Sequence, residues 1–480
     1  MALIGEKYDL GHVFYVDLWP MANSFLIIQD PDVAAQLTQT RNHPTHILNK
    51  EFLRNMTGEK SIVTSEGVEW KMLRSMLGPV LSLKHLSTII PDITEHVLVF
   101  RDSLQKLAED GQVFPMQGLV STATLDVISQ RVLGRSLNVQ TQFSSIADNF
   151  YKTMSWAVSS TDPISRMKSI LPMWWNCRQL DRELSAEIRE RHASVATDSI
   201  AQKTVVDLAF QAYQDNKLGN HPSDKPGKAD LDPEFMRIAV NNVKTMLLGG
   251  HDTTATTIAY AYYLLSLHPT IVSQLRSEHS DVLSPSLSET ATLLKSATAS
   301  KLLTKLPLTT AVLKETLRLF PAGSTFRASL YPSETISYQS QQLPLTNHGI
   351  WISHYDIGRR GDLFPNPLEF NPARFLPNSP ISPPKDAWRP FEKGPRNCLG
   401  QELAMLEMKI VLVLTVRGFE FESAYGEGRG EGEEAPGEHG GRAYQMIALA
   451  PKPARGMPMR VSMRGRGEER RDGGMMGERW

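Results

Sequence analysis

The sequence predicts a mainly α-helical protein with a minor β region. Three observations support this fold class: helical spacing of apolar residues over most of 66–210, one helical pattern of unusual length that starts at Asp232, and β-branched or aromatic runs near the N-terminus and within 325–390. The 480 residues, of which 41% are hydrophobic and 21% charged, have the composition of a globular protein and suffice for a large core.

Charge and cysteine content exclude several classes of protein. The formal net charge of −1 gives no reason to expect nucleic-acid binding. The chain has two cysteines, Cys177 and Cys398, which cannot form a disulfide framework and therefore indicate a reducing compartment. No CxxC or clustered Cys/His pattern predicts structural zinc. Charged residues interrupt the N-terminal stretch where a signal peptide or membrane anchor would need an apolar run.

The N-terminal half is predicted to begin with two strands and to continue as helices. The runs HVFYVDLW and SFLIIQD have the composition of strands, and Pro31 starts a short helix. The clearest helical patterns after them are at 67–77, 117–133 and 178–196. A polar stretch at 213–232, rich in Pro, Gly, Asn and Asp, is predicted to be a surface loop.

A long central helix is predicted between Asp232 and His268. Asp232 provides an N-cap, Pro233 suits the first turn, and Pro269 ends the pattern. At about 1.5 Å per residue such a helix is roughly 50 Å long, which is enough to cross a whole domain. The Gly-Gly pair within LLGGHDTT is expected to interrupt it, because each glycine costs about 1 kcal/mol relative to alanine inside a helix.

The last third of the chain is predicted to mix helices and strands. The predicted elements are helices at 270–283, 309–320 and about 398–416, and a β-rich, proline-rich stretch at 325–390. The segment SAYGEGRGEGEEAPGEHGGR at 423–442 is charged, glycine-rich and low in complexity, which predicts a disordered surface insertion. The tail at 464–480 has the same character and is predicted to be unstructured.

The stretch FEKGPRNCLG places Cys398 on a loop directly before the predicted apolar helix. Two interpretations are open from the residues alone. A free cysteine packs like a small hydrophobic residue and can be purely structural. Alternatively, backbone N–H groups and the helix N-terminus stabilise a thiolate that binds a metal. In that case Gly394 and Gly400 permit close approach of a flat ligand, and Arg396 neutralises an anionic group on it.

This stretch resembles the signature of the haem-thiolate monooxygenases called cytochromes P-450, Phe-x-x-Gly-x-Arg-x-Cys-x-Gly. The five residues Phe391, Gly394, Arg396, Cys398 and Gly400 match all of its fixed positions. Agreement at five positions is specific, unlike a lone pair of glycines. The resemblance implies that these residues bind haem b, with Cys398 as the axial ligand of the iron. It also implies one large domain of the cytochrome P-450 type, with the long central helix lying over the haem.

Two further motifs resemble the structural core of that family. KETLR supplies Glu315 and Arg318 one turn apart on a helix, and FNPARF supplies Arg374. By itself an exposed i,i+3 acid–base pair is usually a solvated salt bridge of at most about 0.5 kcal/mol. The resemblance implies instead that Glu315, Arg318 and Arg374 are buried together as a structural lock behind the haem, with a role in folding rather than in catalysis.

The motif GGHDTT falls inside the central helix and resembles the oxygen-binding segment of the family. From the residues alone, Asp-Thr-Thr in a helix is a local capping or kinking feature. The resemblance implies that Gly249 and Gly250 let the helix widen beside the iron to make room for O2. It further implies that Asp252 and Thr253 are catalytic and relay protons to the oxygen. His251 is interpreted as a packing or substrate-contact residue.

Three more residues are predicted to bind the haem propionates. WKMLR places Trp70 and Arg74 on one helical face, as in the Trp-x-x-x-Arg motif of the family, although a tryptophan at this position is equally consistent with a core anchor. Arg327, in PAGSTFRAS, stands where the family has another propionate-binding arginine.

The resemblance runs from about residue 8 to residue 463 and implies a monooxygenase that inserts one atom of O2 into an apolar organic substrate. Fungal secondary-metabolism members, such as those of sterigmatocystin-type polyketide pathways, resemble the chain most. An NADPH-dependent reductase is the implied electron donor, with positive charge for docking expected from Lys393, Arg396 and Lys409. The alternatives are a haem-thiolate isomerase or peroxide-using enzyme, and a non-catalytic haem-binding pseudoenzyme.

The predicted monooxygenase domain comprises 1–422 and 443–463, with the 423–442 insertion between these parts and the 464–480 tail after them. Members of the family are associated with the endoplasmic-reticulum membrane and face the cytoplasm, so contact with a membrane surface is an expectation for this chain. Because the usual N-terminal anchor is not recognisable, the chain is expected to be cytoplasmic if the sequence is complete.

Overall fold

The fold is seen in a computed structural model. It describes the following residues: 2–19, 23–157, 163–195, 204–214, 232–426, 441–446 and 450–465. Within these ranges the chain forms seventeen α-helices, eleven short strands and a few 3₁₀ or π turns. The predicted class, mainly α-helical with a minor β region, is confirmed. The predicted surface loop at 213–232 lies outside the described residues except at its two ends.

The elements follow one another along the chain with these bounds. The helices are α1 (Ala2–Lys7), α2 (Pro31–Ala35), α3 (Ile47–Thr57), α4 (Gly67–Leu77), α5 (Leu83–Leu86), α6 (Ile90–Asp110), α7 (Met116–Leu133), α8 (Ser145–Ala157), α9 (Pro163–Val195), α10 (Val205–Gln214), α11 (Pro233–Leu267), α12 (Pro269–Val282), α13 (Leu287–Leu294), α14 (Ala299–Thr304), α15 (Pro307–Leu319), α16 (His354–Ile357) and α17 (Gln401–Thr415). The strands are β1 (Val13–Val16), β2 (Phe25–Ile28), β3 (Phe114–Pro115), β4 (Thr325–Arg327), β5 (Thr335–Tyr338), β6 (Gln341–Pro344), β7 (Gly349–Ile352), β8 (Phe419–Ser423), β9 (Gln445–Met446), β10 (Lys452–Pro453) and β11 (Pro458–Met463).

The strands form two small sheets and two hairpins. The predicted N-terminal strand pair is confirmed, because β1 and β2 are antiparallel, with Val13 opposite Ile28. They belong to a four-stranded sheet in the order β1-β2-β7-β4, in which β2 and β7 are parallel. A second sheet has the order β3-β11-β8, and β5–β6 and β9–β10 are separate hairpins. The larger sheet brings β4, and with it Arg327, from the C-terminal half to the N-terminal strands.

The central helix α11 has the predicted start and end. The Asp232 carboxylate accepts a hydrogen bond from the backbone N–H of Glu234, and the helix stops at Leu267, before Pro269. Almost every described side chain along it is buried, from Phe235 to Leu265. Because the helix is buried on nearly all sides, its apolar residues do not form a single hydrophobic stripe, and buried polar residues such as Asn242 and Asp252 lie among them.

The expected interruption of α11 at its Gly-Gly pair is wrong. The helix is continuous through Gly249 and Gly250 and shows no local widening there. A Cβ built on Gly250 would lie 2.4 Å from Cγ1 of Ile128, so the glycine lets α11 pack closely against α7. Tertiary packing of this kind outweighs the helix propensity of two glycines, which amounts to about 1 kcal/mol per residue.

The apolar helix near the C-terminus begins later than expected. The prediction started it at about Cys398, whereas α17 starts at Gln401 and Gly400 is its N-cap. The N-terminal residues of α17 therefore leave their backbone N–H groups free to meet the loop that contains the cysteine. The cysteine itself lies outside the helix.

Both ends of the predicted 423–442 insertion belong to the packed structure. Ser423 ends strand β8, and Ala424 and Tyr425 are buried. The hydroxyl of Tyr425 donates to the carbonyl of Ala454 over 2.6 Å, so the chain is held against its C-terminal part. The middle of the segment, 427–440, lies outside the described residues. The predicted tail, 464–480, begins too early. The backbone N–H of Arg464 donates to the carbonyl of Gly418, and of this tail only 466–480 lies outside the described residues.

Candidate active site

Cys398 lies at the end of a closed loop in front of α17. Its backbone N–H donates to the carbonyl of Phe391 over 2.8 Å, and the N–H of Asn397 donates to the carbonyl of Gly394 over 3.0 Å. These bonds fold the loop back on itself. The Sγ atom accepts hydrogen bonds from the backbone N–H groups of Gly400 and Gln401, at the start of α17.

Burial and the neighbouring groups act in opposite directions on the pKa of the Cys398 thiol. The side chain has accessible surface because it faces a cavity, but the loop and helix around it still desolvate the sulfur. Burial raises the pKa of the Cys398 thiol, while the N–H groups of Gly400 and Gln401 and the charge of Arg74 lower it. Since the lowering groups all favour the thiolate, a cation placed over the sulfur would find a ligand already provided with hydrogen bonds.

The cavity beside Cys398 separates the cysteine loop from the central helix. Its empty space, counted out to its open mouth, is about 1300 Å³. Residues of α3, α4, α7, α11, α17, β4 and the cysteine loop line it; the predicted site residues among them are Trp70, Arg74, Gly249, Gly250, Thr253, Arg327, Phe391, Arg396, Cys398 and Gly400. The structure thus brings together ten of the residues that were singled out from separate motifs.

The α11 wall of the cavity contains Gly249 and Thr253. A Cβ built on Gly249 would meet nothing within 4 Å, so this turn of the helix leaves open space above the backbone. The hydroxyl of Thr253, one turn later, donates to the carbonyl of Gly249 over 2.8 Å. A hydroxyl on the edge of an open space is well placed to accept and donate hydrogen bonds to a bound molecule.

Arg74 and Arg396 enter the cavity from neighbouring elements. Arg74, on α4, donates to the backbone carbonyl of Asn397 over 2.6 Å and also to the side-chain oxygen of that residue. Arg396 pairs with the carboxylate of Glu66 and stacks over the ring of Trp70, with 4.3 Å from the guanidinium carbon to the ring centroid. Neither arginine is free, yet each keeps N–H groups beside the cavity.

Arg327 is the least satisfied cation of the cavity. The residue is only 4% exposed, and the one hydrogen bond that its side chain makes to a described residue is a long one of 3.3 Å to the carbonyl of His43. The Nε atom is buried and without a partner among the described residues. Burial lowers the pKa of Arg327, which reflects the cost of holding this charge with few partners.

Asp252, predicted to be catalytic, does not line the cavity. Its carboxylate is 2% exposed, and Oδ1 lies 3.0 Å from Nζ of Lys452 in strand β10. Its neighbour His251 is fully buried, with Nδ1 bonded to the carbonyl of Leu247 and its ring against Phe150. Of the two roles left open for His251, the structure gives it that of a packing residue.

Glu315, Arg318 and Arg374 form a buried cluster on α15 and the FNPARF segment, here called the Glu315 cluster. Arg318 donates to both carboxylate oxygens of Glu315 over 2.7 Å, and Arg374 donates to the same carboxylate over 3.3 Å. The side chains of all three residues are at most 1% exposed. Arg318 also donates to the backbone carbonyls of Gly358, Pro367 and Glu369.

Gly394 is a structural residue of the cysteine loop rather than a residue of the cavity wall. Its φ of +90° is in the left-handed region, and a Cβ built there would lie 2.0 Å from the carbonyl oxygen of Thr38. A side chain at this position would therefore displace the loop from the turn that follows α2. The predicted role, close approach of a flat ligand, applies better to Gly249.

The predicted basic surface near the cysteine is weaker than expected. Arg396 is almost completely buried, and the ammonium of Lys409 donates to the backbone carbonyl of Leu303. Lys393 is one-third exposed but lies 3.0 Å from the carboxylate of Asp386. The three residues named for docking of an electron donor therefore present little unpaired charge.

Sequence reasoning missed four residues around the site. Glu66 binds Arg396, Asn397 binds Arg74, and Lys452 binds Asp252. Glu407 lines the cavity from α17, and burial raises its pKa well above the ordinary value, which favours the neutral acid. Only Glu407 left a signal in the sequence, as a single acid within the apolar run LAMLEMKIVLVL.

The residues around the cavity fit a haem group. A cysteine sulfur with two backbone hydrogen bonds suits an axial ligand of iron, and the open space over Gly249 suits a flat macrocycle. The buried guanidinium of Arg327, whose Nε has no partner among the described residues, suits a propionate carboxylate. The donor set thus matches a flat, doubly anionic ligand with a central metal ion.

Comparisons with known proteins agree with this fit. A family model described as Cytochrome P-450 matches residues 3–436. The monooxygenase acrF of Aspergillus aculeatus is 32% identical over 494 residues, which cover 96% of each chain. The monooxygenase polC of Polytolypa hystricis is 32% identical over 95% of this chain and 82% of its own, and PC-23 of Penicillium crustosum is 47% identical over 43% of this chain and 99% of its own.

Solved structures show the same fold. The crystal structure of the cytochrome P450DA heme domain superimposes with a TM-score of 0.77 at 18% identity and covers 96% of this chain and 92% of that one. At this level of identity the likeness supports the architecture and nothing finer. Together with the family match over most of the chain, it leads to one conclusion: the chain belongs to the cytochrome P-450 family of haem-thiolate monooxygenases.

Proposed function

We propose that this monooxygenase holds its haem through Cys398 and inserts one atom of O2 into an apolar organic substrate, using electrons from an NADPH-dependent reductase. The observation that supports it most is the cavity that Cys398 shares with the open turn of α11 at Gly249. The sulfur is the only described thiol that faces this space, because the other cysteine, Cys177, lies against Asn55 of α3.

Five further residues around the cavity are proposed to hold the cofactor. Arg74, Arg327 and Arg396 supply N–H groups to its two carboxylates, and Trp70 supports Arg396 through its ring face. Gly400 keeps the backbone beside the sulfur free of a side chain. Bound through a thiolate, haem supplies the activation of O2, because electron density from the sulfur favours cleavage of the O–O bond.

Thr253 and Asp252 are proposed to manage protons at the α11 wall. The hydroxyl of Thr253 lies at the edge of the cavity, where it would hold a water molecule by hydrogen bonds. Asp252, the preceding residue, brings a carboxylate into the same turn of the helix and serves as the proton carrier to that hydroxyl. A positioned acid of this kind contributes about 10²–10⁴-fold to a rate.

The lining of the cavity supports an apolar substrate. Beyond the haem-binding residues it is built largely from aliphatic side chains, which include Leu53, Ile62, Val63, Ile128 and Met246. These side chains come from α3, the loop after it, α7 and α11, so several parts of the chain contribute to the apolar wall. The relatives from Aspergillus and Penicillium are fungal monooxygenases, and we propose a fungal secondary metabolite, such as a polyketide, as the substrate class.

The enzyme is proposed to bind a membrane surface, on the cytoplasmic face of the endoplasmic reticulum. In the described part of the chain no helix has both the length and the apolar character needed to cross a bilayer. The first half of α9 nevertheless exposes large apolar side chains, namely Met167, Ile170, Leu171, Trp174 and Trp175. Basic residues accompany them, and Arg178 lies over the ring of Trp174. Exposed tryptophans beside cations are the composition of helices that lie in a lipid interface.

Vesicle sedimentation tests this location. The protein is expected to sediment with vesicles that contain anionic lipid, and a Leu171→Ser/Trp175→Ser variant is expected to remain in the supernatant. A variant with the exposed Phe143 changed to Ser serves as the matched control, because it removes an equally exposed aromatic side chain from the segment before α8. Equal sedimentation of all three proteins would contradict the proposed surface.

Turnover with isotopically labelled O2 tests the reaction. The haem-loaded protein is incubated with a reductase, NADPH and a panel of aromatic polyketides, and the products are analysed by mass spectrometry. The expected product contains one labelled oxygen atom and forms only when reductase and NADPH are both present. Unlabelled products that form without reductase would identify an isomerase. Products that need peroxide would identify a peroxide-using enzyme, and a complete lack of products would favour a non-catalytic haem protein.

A further inference from the structure

The ion pair between Asp252 and Lys452 joins the central helix to a distant strand. The two residues are 200 positions apart in sequence, yet Nζ of Lys452 lies 3.0 Å from Oδ1 of Asp252. The aspartate is 2% exposed and the lysine 35% exposed, so the pair spans the boundary between the core and the solvent. No motif in the sequence pointed to this lysine.

The backbone around Lys452 is held in place on both sides. Strand β10 pairs with β9 in antiparallel register, with Lys452 opposite Met446. The side-chain amide of Gln445 donates to the carbonyl of Pro321, which ties β9 to the segment after α15. The backbone N–H of Ala454 donates to the carbonyl of Tyr444 over 2.9 Å. The ammonium therefore reaches Asp252 from a strand whose position is fixed by the fold.

The carboxylate of Asp252 has one oxygen in use and one without a partner. Oδ2 is buried and makes no hydrogen bond within the described residues. Other titratable groups close enough to feel its charge are His251 on the same helix and Tyr151 on α8. The cationic partner of Asp252, Lys452, is itself 35% exposed, so the ion pair connects the buried carboxylate to solvent.

We infer that Lys452 is a positioning residue for proton uptake: its ammonium holds the Asp252 carboxylate at the solvent end of the path that leads to Thr253. This inference rests on the proposed function. Insertion of one oxygen atom converts R–H, O2, two electrons and two protons into R–OH and water; the reductase supplies the electrons and the solvent supplies the protons. Asp252 takes up each proton near Lys452 and gives it up at Thr253, and Lys452 is not consumed.

The position of Asp252 explains why such a residue is needed. Successive residues on a helix point about 100° apart, so the aspartate lies on a different face of α11 from Thr253, which lines the cavity. A carboxylate that faces away from the cavity needs a defined contact with solvent and a defined rest position. Lys452 provides both, whereas Thr253, bonded to Gly249, provides neither.

Substitution of Lys452 in the haem-loaded enzyme tests the inference. Three single variants are compared with the wild type: Lys452→Met, Lys452→Arg and, as the matched control, Lys295→Met. Lys295 has a similar exposure of 38% and also forms an ion pair, with the exposed Glu95, but it does not line the cavity. The substrate is the panel compound with the highest turnover, and its affinity is measured separately from turnover.

Lys452→Met is expected to lower turnover on the order of 10-fold, because misplacement of a reacting group by about 1 Å already costs as much or more. Substrate affinity is expected to stay unchanged. The solvent deuterium isotope effect and the hydrogen peroxide released per electron are expected to rise, since slow protonation leaves reduced oxygen to escape. Lys452→Arg is expected to restore most of the turnover, and Lys295→Met is expected to match the wild type in all four measurements.

The double variant Lys452→Met/Asp252→Asn separates positioning from a general loss of structure. In the Asp252→Asn background the lysine has no carboxylate to hold, so its removal is expected to cause no further loss of turnover. The free energies of urea unfolding are measured for the wild type, Lys452→Met, Asp252→Asn and the double variant. They give the coupling energy between the two residues without reference to activity. If Lys452→Met does not fold, the ratio of the turnover of the double variant to that of Asp252→Asn still shows whether the lysine acts through the aspartate.

Two results would overturn the inference while leaving the proposed function intact: a Lys452→Met enzyme that equals Lys295→Met in turnover and isotope effect, or an equal loss on removal of the lysine in both backgrounds. A wild-type protein that takes up haem but inserts no labelled oxygen would overturn the proposed function, and the inference with it.

Discussion

Two groups of buried arginines in this protein differ in how many of their N–H groups are used. In the Glu315 cluster, Arg318 makes five hydrogen bonds, to the carboxylate of Glu315 and to three backbone carbonyls. At the cavity, Arg327 is also buried, but within the described ranges its side chain makes a single long hydrogen bond, to the carbonyl of His43. The hydrogen bonds of Arg318 are complete within the protein, whereas those of Arg327 are not.

The difference separates a structural role from a binding role. A buried charge is costly unless it is paired, so an arginine that the fold leaves unpaired is explained best by a partner that arrives from outside. An unpaired Nε alone does not mark such a residue, because Arg131 and Arg389 also have one. Arg327 and Arg396 both have an unpaired Nε and both line the cavity, but Arg396 is paired with the carboxylate of Glu66. What distinguishes Arg327 is that it lines this cavity without a carboxylate partner among the described residues.

Replacement of Glu315 in the Glu315 cluster is expected to have the largest effect on stability. Glu315→Gln removes the charge that Arg318 and Arg374 share in the core, and breaking a buried ion pair in this way costs about 3–5 kcal/mol of the free energy of unfolding. We expect little soluble protein and a clearly lower midpoint of urea unfolding. Glu369→Gln is the control, since that side chain is exposed and only its backbone carbonyl contacts Arg318. A Glu315→Gln protein as stable as this control would show that the cluster is dispensable.

Arg327→Met is expected to have effects of opposite sign with and without haem. The haem-free protein loses a buried cation with few partners, so its free energy of unfolding should not fall. The haem-loaded protein loses charge-assisted hydrogen bonds of about 1.5–3 kcal/mol, which corresponds to a haem dissociation constant raised by about 10- to 100-fold. Haem transfer to a scavenger protein measures this loss.

The matched control for Arg327→Met is Arg131→Met. Arg131 is also buried with an unpaired Nε, but it donates to the carbonyl of Val80 and does not line the cavity of Cys398. Its replacement is expected to leave haem affinity unchanged. If both variants lose haem equally, the contrast between a binding arginine and an ordinary buried one is wrong.

A smaller effect is expected from Glu392, an acid of the cysteine loop whose partners lie within the protein. Burial by itself would raise its pKa, but hydrogen bonding to His354 and the charges of His354 and Arg389 outweigh this and hold the pKa of Glu392 far below its ordinary value. A depressed pKa means that the carboxylate stabilises the fold above about pH 4.3, the unfolded value. This stability is lost as the pH falls toward the pKa of the folded state.

Glu392→Gln is therefore expected to make stability depend less on pH below about pH 4.3. The slope of the unfolding free energy against pH should fall by up to about 1.4 kcal/mol per pH unit, the contribution of one proton. Urea unfolding at several pH values measures it, with the exposed Glu51→Gln as the control. Parallel curves for Glu392→Gln and the wild type would contradict the proposed pairing.

Local patterns were enough to predict the elements that carry the site. The cap at Asp232 and the prolines at both ends gave the bounds of α11 to within a residue or two, because capping acts over a few neighbouring positions. The motif residues from α4, α11, β4 and the cysteine loop were assigned to one site by the family resemblance, and the structure brings them to one cavity.

Contacts between distant segments could not be predicted in the same way. The pairing of Asp252 with Lys452, and the contact of Gly394 with Thr38, join positions hundreds of residues apart and leave no periodic trace. The continuity of α11 through Gly249 and Gly250 was missed for a related reason. Helix propensity is local, whereas the packing of Gly250 against Ile128 of α7 is not.

The carbon monoxide complex of the reduced, haem-loaded protein tests the role of Cys398 most directly. Its absorption band reports whether the axial ligand is a thiolate. Since the chain has only two cysteines, Cys177→Ser is a complete control for Cys398→Ser. We expect the thiolate band in the wild type and in Cys177→Ser, and its loss in Cys398→Ser. A Cys398→Ser protein that keeps the thiolate band, or a Cys177→Ser protein that loses it, would contradict the proposed ligand.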